Sequence, residues 1–462
     1  MSGEPGPITR GRALFGQGRF GAALAAFDEA IAVHPRSPLA HSGRARALVA
    51  LGRAGEGLAS ADRALGLDPG LADAWRGRGL ALLELKRPDE ALAAFRAVAP
   101  AGTPVEQADS VADVGLALAG LGRHDEASAT YDEALAIAPH APLARYRRAW
   151  VRLLRRDFAG GWDDYEARWL QRHATAGHMT PAFRERLTLG PAVDDLRGQR
   201  VLVVAEQGVG DVIMFASVLP DLAAIAAKVT CVVEFRLLTL FSVSFPDIEV
   251  VAGSGPALVD LARIDRVVAI GSLPAAFRRA EADFPGRPYL RPMPRTVEAW
   301  RARLGPSPGL RRIGISWRGG AAQTGVAARS MPLETLRPLF EHPGYEVVSL
   351  QYGDVTAELA AVNAGLARPI VSFPRKEIDD FEALAGLVCA LDGVVTVQTA
   401  LAHLTGAIGQ LGLVMIPPRP EWRYGDGGTD MPWYASLRLF RQADGEGWAP
   451  VLGRVIEALP PS

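Results

Sequence analysis

The stretch Gly18-Arg19-Phe20-Gly21-Ala22-Ala23-Leu24-Ala25-Ala26-Phe27-Asp28-Glu29-Ala30-Ile31-Ala32-Val33-His34-Pro35 returns in outline as Gly52-Arg53-Ala54 to Pro69, 34 residues on. A third copy starts at Lys86, and a fourth runs from Gly122-Arg123-His124 to Pro139 after a two-residue slip. A period of this length predicts stacked helix pairs, each unable to bury its apolar face alone. Small residues recur where two helices must approach closely: Gly11 and Ala23, Ala45 and Gly57, Gly79 and Ala91, Gly115 and Ala127. Phe27, Phe95 and Tyr131 follow one helical turn after the second member of their pairs, on the same face. A degenerate fifth unit, with Ala149, Gly161 and Tyr165 in register, runs into Trp162 and Arg168-Trp169 and reads as a cap. The array is thus expected over residues 1–170, with a concave groove lined by first-helix residues. Such a groove holds a peptide or protein; a spacer or dimerisation arm is the plainer alternative.

From about residue 200 the pattern changes to strand-length apolar runs alternating with amphipathic stretches, the signature of βαβ units and parallel sheets. Residues 171–199, with prolines, glycines and little periodicity, read as a joint. A first half, 200–295, offers strands at 200–205, 229–233 and 266–270. Prolines around Arg291-Pro292-Met293-Pro294 and Gly305-Pro306-Ser307-Pro308-Gly309 mark a second boundary. A second half, 296–462, offers strands at 313–317, 346–350, 393–397 and 413–416, and a final helix at about 448–459. Two doubly wound halves in tandem place the C-terminal strand ends on facing walls of a cleft, where such folds bind ligands.

Composition narrows the partners. Fifty basic and 51 acidic side chains in 462 residues leave a formal net charge of −1, which provides no global field for nucleic acid or an anionic membrane. Only Lys86, Lys228 and Lys376 are lysines, so arginine does nearly all the cationic work. Cys231 and Cys389 form no CxxC or Cys/His cluster and read as small buried hydrophobes, without support for a disulfide framework or a metal site. The N-terminus lacks a signal-like apolar region, and no run of 18 apolar residues occurs, so no membrane span and a cytoplasmic setting are expected.

Three turns at strand ends carry the candidate chemistry. Glu206-Gln207-Gly208-Val209-Gly210-Asp211 opens a helix; Gly208 and Gly210 let backbone amides near a ligand, and Asp211 faces the cleft unless it serves only as a helix-start residue. Thr399-Ala400-Leu401 begins another helix, whose first amides suit a phosphate, and His403 shares a face with Thr399; a purely structural His403 is the alternative. Arg318-Gly319-Gly320 and Arg329 suit a flexible cover over a diphosphate, each charged hydrogen bond adding roughly 1.5–3 kcal/mol. Gln351, ending a strand on the same rim, could read a base or ribose. Trp422 and Trp433 could stack on a sugar or base, or merely fill the interface.

The repeats resemble the tetratricopeptide repeat, including Trp75 at its aromatic start position and the closing prolines. From about 160 to 445 the chain resembles the bacterial heptosyltransferase-like (family 9-like) glycosyltransferases of the GT-B fold, specifically those fused to tetratricopeptide repeats. The motifs are Glu206-Gln207-Gly208-x-Gly210-Asp211, Trp317-Arg318-Gly319-Gly320, Arg329-Ser330-x-Pro332-Leu333, Ser349-Leu350-Gln351, Thr399-Ala400-x-x-His403-Leu404-x-Gly406 and Pro432-Trp433-Tyr434. The resemblance implies an α superhelix followed by two Rossmann-like domains, with Asp211 as general base. It also implies a nucleotide-activated sugar as donor, with no metal and no further cofactor. Gln398 departs from the aspartate usual in that family. The fusion is similar to alphaproteobacterial flagellin glycosyltransferases, which implies a protein acceptor such as flagellin in the repeat groove and a nonulosonic acid such as pseudaminic acid as the sugar. A non-catalytic adaptor with a degenerate transferase domain is the rival.

Overall fold

The computed structural model describes residues 6–99, 102–170, 180–253, 258–319 and 329–461. It divides into two compact units, Met1–Leu153 with Asp163–Ala174, and Leu154–Trp162 with Thr175–Ser462. Leu154–Trp162, within the span expected for the repeats, falls in the second unit. Phe158 and Trp162 belong to the second unit, where their rings join its aromatic core.

The first unit is built of paired helices: Pro7–Gly16 with Phe20–Val33, Pro38–Ala50 with Ala54–Leu67, Ala72–Glu84 with Pro88–Arg96, and Pro104–Gly120 with His124–Ile137. The small residues act as the periodicity predicts. A Cβ on Gly11 would lie 2.8 Å from the Phe27 ring and one on Gly115 2.6 Å from Tyr131, while one on Gly79 would collide with Phe95. In the second pair a Cβ on Gly57 would lie 3.1 Å from Ala45 O, and Gly43 gives room to Phe27 of the first pair.

Each first helix ends in the same hydrogen-bonded stop. In the first pair Arg19 N–H bonds to Leu14 O and Gly18 N–H to Phe15 O, the two bonds that close a Schellman motif. This requires a left-handed residue, supplied by Gly18, Gly52 and Gly122 at φ 75–76°, by Lys86 at 61° and, one unit further, by Arg156 at 62°. A left-handed non-glycine residue costs about 1–2 kcal/mol, part of which glycine returns as chain entropy on unfolding. Lys86→Gly is therefore expected to stabilise the array by about 0.5–1 kcal/mol, measured as a higher urea midpoint of its transition. A lower midpoint would mean that the Lys86 side chain contributes more than its backbone strain costs.

The second unit contains two parallel sheets. The first comprises β1 (Arg200–Val204), β2 (Lys228–Val233), β3 (Ile248–Ala252) and β4 (Arg266–Ala269), in the order β3-β2-β1-β4. The second comprises β5 (Arg311–Ser316), β6 (Tyr345–Ser349), β7 (Gly393–Val397), β8 (Gly412–Ile416) and β9 (Leu437–Arg441), in the order β6-β5-β7-β8-β9. Val203 pairs with Cys231 and Val268, and Ile315 with Ser349 and Val395, so β1 and β5 are central and buried on both faces. Strands β3 and β9 went unread in the sequence. Part of the joint also serves the first sheet, because Leu187 bridges to Val267 and Thr188 N–H donates to Val267 O at 2.8 Å. Residues 171–179 of the joint lie outside the described residues. Among the described residues, no helix is long and apolar enough to cross a membrane.

In each sheet the chain runs outward on one side of the central strand and then returns to its other side. The strand order thus reverses between β1 and β4 and again between β5 and β7. Ligands of open parallel sheets bind beyond the carboxyl ends of strands at such reversals. The three candidate turns follow β1, β5 and β7.

Candidate active site

A cleft of about 520 Å³ opens at these strand ends. From the first sheet's half, Val209 and Arg236 line it. From the second come Ser316, Arg318, Gly319, Gln351, Tyr352, Phe381 and the turn Thr399-Ala400-Leu401.

The turn after β7 is shaped by Thr399, which caps the helix Ala400–Ala407 by accepting from Leu401 N–H at 3.2 Å. The Leu401 amide is thereby taken, so the donors left at this turn are those of Thr399 and Ala400. Just before it, Gln398 is buried; its Oε1 accepts from Glu421 N–H at 3.5 Å, while its Nε2 finds no partner among the described residues.

Gln351 lines the cleft with its amide already engaged. Its Oε1 accepts from Ser316 Oγ (3.1 Å), Trp317 N–H (2.8 Å) and Arg318 N–H (2.9 Å), and its Nε2 donates to Arg318 O and Tyr352 O, both at 3.1 Å. With both ends occupied it fixes the loop after β5 and so aims Arg318, which pairs with Glu358 at 3.1 Å and keeps an exposed face. A Cβ on Gly319 would lie 3.1 Å from Gln398 O, so glycine lets the β5 and β7 loops touch. Gly320 lies outside the described residues. Arg329 donates to Gln398 O at 3.4 Å and sits 4.0 Å from Glu421, back from the cleft lining.

His403 also changes role. Its Nδ1 meets Tyr434 OH at 3.2 Å and its Nε2 meets Tyr424 OH at 3.4 Å, and burial, with the Arg423 guanidinium second, pushes its pKa down to about 3. It is a neutral ring inside a buried chain: Tyr434 contacts Tyr289 OH at 3.3 Å, which in turn donates to Ile213 O at 2.7 Å in the helix bearing Asp211. Trp422 and Trp433 are buried as well. Trp422 lies 5.5 Å from Trp162 between ring centres, and Trp433 lies 4.8 Å from Phe284 and 6.0 Å from Phe215. They hold the two halves together, and neither lines the cleft as a stacking surface.

Gly208 is the N-cap of the helix Val209–Phe215 and has an ordinary extended backbone. Gly210 has a packing duty, since a Cβ there would lie 3.2 Å from both Ala400 Cα and His403 Cδ2. Of this helix Val209 lines the cleft, whereas Asp211 is set back from the lining. Asp211 is ion-paired with Arg423, whose Nε donates to Oδ1 at 2.7 Å. Arg236, which lines the cleft, and Arg423, which holds Asp211, went unread in the sequence. The signal for Arg236 was its place just after β2, on the same rim as the other strand-end turns; Arg423 was hidden among the aromatics that flank it.

In the first unit, a groove of about 460 Å³ is lined by Phe15, Arg46, Arg76, Leu80, Asp109 and Arg147, among others. Asp113, buried, is held by Arg76 and Arg147 at 2.6 Å each. Burial pushes the Asp109 carboxyl up and the Arg46 guanidinium down.

Residues 8–72 and 44–105 match one description of the tetratricopeptide repeat, and residues 108–140 match a second. Protein FlbA of Caulobacter vibrioides is 31% identical over 364 residues, 72% of this chain and 58% of FlbA, so the chain spans little more than half of that relative's length. Among solved structures, the glycosyl transferase family 9 protein of Veillonella parvula DSM 2008 is similar at 14% identity and a TM-score of 0.41, covering 58% of this chain and 91% of that one. A thermophilic tetratricopeptide-repeat protein of Thermus thermophilus is similar at 25% identity and a TM-score of 0.31, covering 36% and 88%. The N-terminal part of the chain is accordingly a tetratricopeptide-repeat array, followed by an α/β unit of two parallel sheets with a cleft at their strand ends.

Proposed function

We propose that the chain is an inverting glycosyltransferase that moves a sugar from a nucleotide-activated donor to a hydroxyl of a protein held by the repeats. The observation that carries this reading is the packing of Gly210 on Ala400, which joins the helix bearing Asp211 to the helix whose first residues line the cleft, at two strand-order reversals. The donor's phosphate sits on the amides of Thr399 and Ala400 with Arg318 nearby, where preorganised donors stabilise charge developing on the leaving group. These groups take the part a metal ion plays elsewhere, and the reaction calls for no cofactor. The apolar floor at Phe381 and Leu401 suits the base. Flagellin is the acceptor suggested by the resemblance of the fused arrangement, and a nonulosonic acid is the sugar.

A thermal-shift series with CMP, UDP, GDP and ADP tests the reading, followed by transfer from the matching sugar nucleotide. One nucleotide is expected to stabilise the chain by about 2.7 kcal/mol at one hundred times its Kd. The adaptor reading draws support from Gln398, where a carboxylate is missing; it predicts no shift with any of the four and no transfer.

A further inference from the structure

Asp211 meets Arg423 in an asymmetric way. Arg423 Nε donates to Oδ1 at 2.7 Å and Nη2 donates to the same oxygen, while Oδ2 accepts no hydrogen bond among the described residues. An ion pair serving only stability gains most from a fork-to-fork arrangement that occupies both carboxylate oxygens. Here one oxygen is held twice and the other is left open. The guanidinium is steered in turn: its Nη1 reaches Glu421 at 3.2 Å, and it lies 5.1 Å from the centre of the buried Trp422 ring. The pair joins the two halves, since Asp211 follows β1 and Arg423 lies in the turn Trp422–Tyr424 after β8, both set back from the cleft lining. The two side chains are only 15% and 19% exposed, so water screens the contact weakly.

Resting on the transferase reading, we propose that Arg423 is a positioning residue that holds Asp211 by Oδ1 and presents Oδ2 to the acceptor hydroxyl. In the transfer step the acceptor oxygen bonds to the anomeric carbon and its proton passes to Oδ2. The bond from that carbon to the phosphate oxygen breaks, and its electron pair leaves with the nucleotide. Arg423 takes no proton. Its two N–H groups keep the carboxylate from rotating and so keep the open oxygen on the reacting side.

The test uses the full chain and release of nucleotide from CMP-, UDP-, GDP- and ADP-activated sugars. Arg423→Gln is expected to lower kcat by about 10–100-fold, the scale of a misplaced catalytic group, with KM for the donor within about twofold. Arg423→Lys, which keeps the charge but not the two-pronged grip, is expected to recover part of the rate. The double variant with Asp211→Asn should be no slower than Asp211→Asn alone, as for groups acting as one unit. A raised KM at unchanged kcat would overturn the proposal by making Arg423 a donor-binding group, and so would independent, multiplying losses in the double variant. Should the glutamine variant melt early, the same kcat and KM comparison on the lysine variant decides. A fully active Asp211→Asn, or a wild type inert toward every donor, would instead remove the transferase reading and this proposal with it.

Discussion

Asp211→Asn is expected to reduce sugar transfer by about 10²–10⁴-fold while leaving nucleotide affinity nearly unchanged, the range of a positioned general base. The amide is nearly the same size as the carboxylate and still accepts from Arg423 through its oxygen, so the interface at Gly210 and Ala400 has no reason to open. What is lost is the capacity to take a proton. The proposed nucleotide site, at Arg318 and the Thr399-Ala400 turn, is connected to Asp211 through the packing of Gly210 on Ala400. A split result, with binding kept and turnover lost, would assign the base. Loss of binding together with turnover would show that Arg423, freed from its charged partner, had rearranged the donor site.

How much of this arrangement could be read in the sequence depended on whether a residue's duty was local. The repeats were legible because their duty recurs: a small residue and an aromatic one turn along report the same packing several times over. The three strand-end turns were legible because apolar runs give the strands and a turn must follow each one. What could not be read was partnership across the fold. Trp422, Trp433 and His403 look in sequence like groups awaiting a ligand, yet their partners are Trp162, Phe284, Tyr424 and Tyr434. Gln351 spends both ends of its amide on backbone and a hydroxyl in its own half. At Gly406 the atoms that forbid a Cβ are those of the Tyr434 ring, from a distant turn. Strand β9, Leu437-Arg438-Leu439-Phe440-Arg441, escaped because it is an edge strand carrying two arginines, so neither a continuous apolar run nor a strict alternation marks it.

Acid is expected to destabilise the α/β unit through His403. In the folded chain its pKa is about 3, whereas an unhindered imidazole titrates near 6.5. Below pH 6.5 the unfolded chain takes up a proton that the folded chain refuses, so the unfolded state binds more protons and stability falls as pH falls. The loss begins near pH 6.5, grows by about 1.4 kcal/mol per pH unit and ends near pH 3. His403→Gln removes the titration. At pH 7.5 it weakens the bonds to Tyr424 and Tyr434 and should cost about 1–2 kcal/mol; at pH 4.5 that gap should close or reverse, because wild type alone carries a penalty of about 2–3 kcal/mol. Urea unfolding of both full-length proteins at the two pH values measures this directly, and equal losses in the two would show that other groups govern the acid transition. The effect reaches the site by a short route. His403 lies against Gly210, and the chain from Tyr434 through Tyr289 ends on Ile213 O, in the helix that carries Asp211. A proton forced onto this imidazole would turn its accepting nitrogen into a donor, so the phenol that had donated to it would have to swing its O–H away inside a buried site, and the helix bearing Asp211 would feel that change through the same chain.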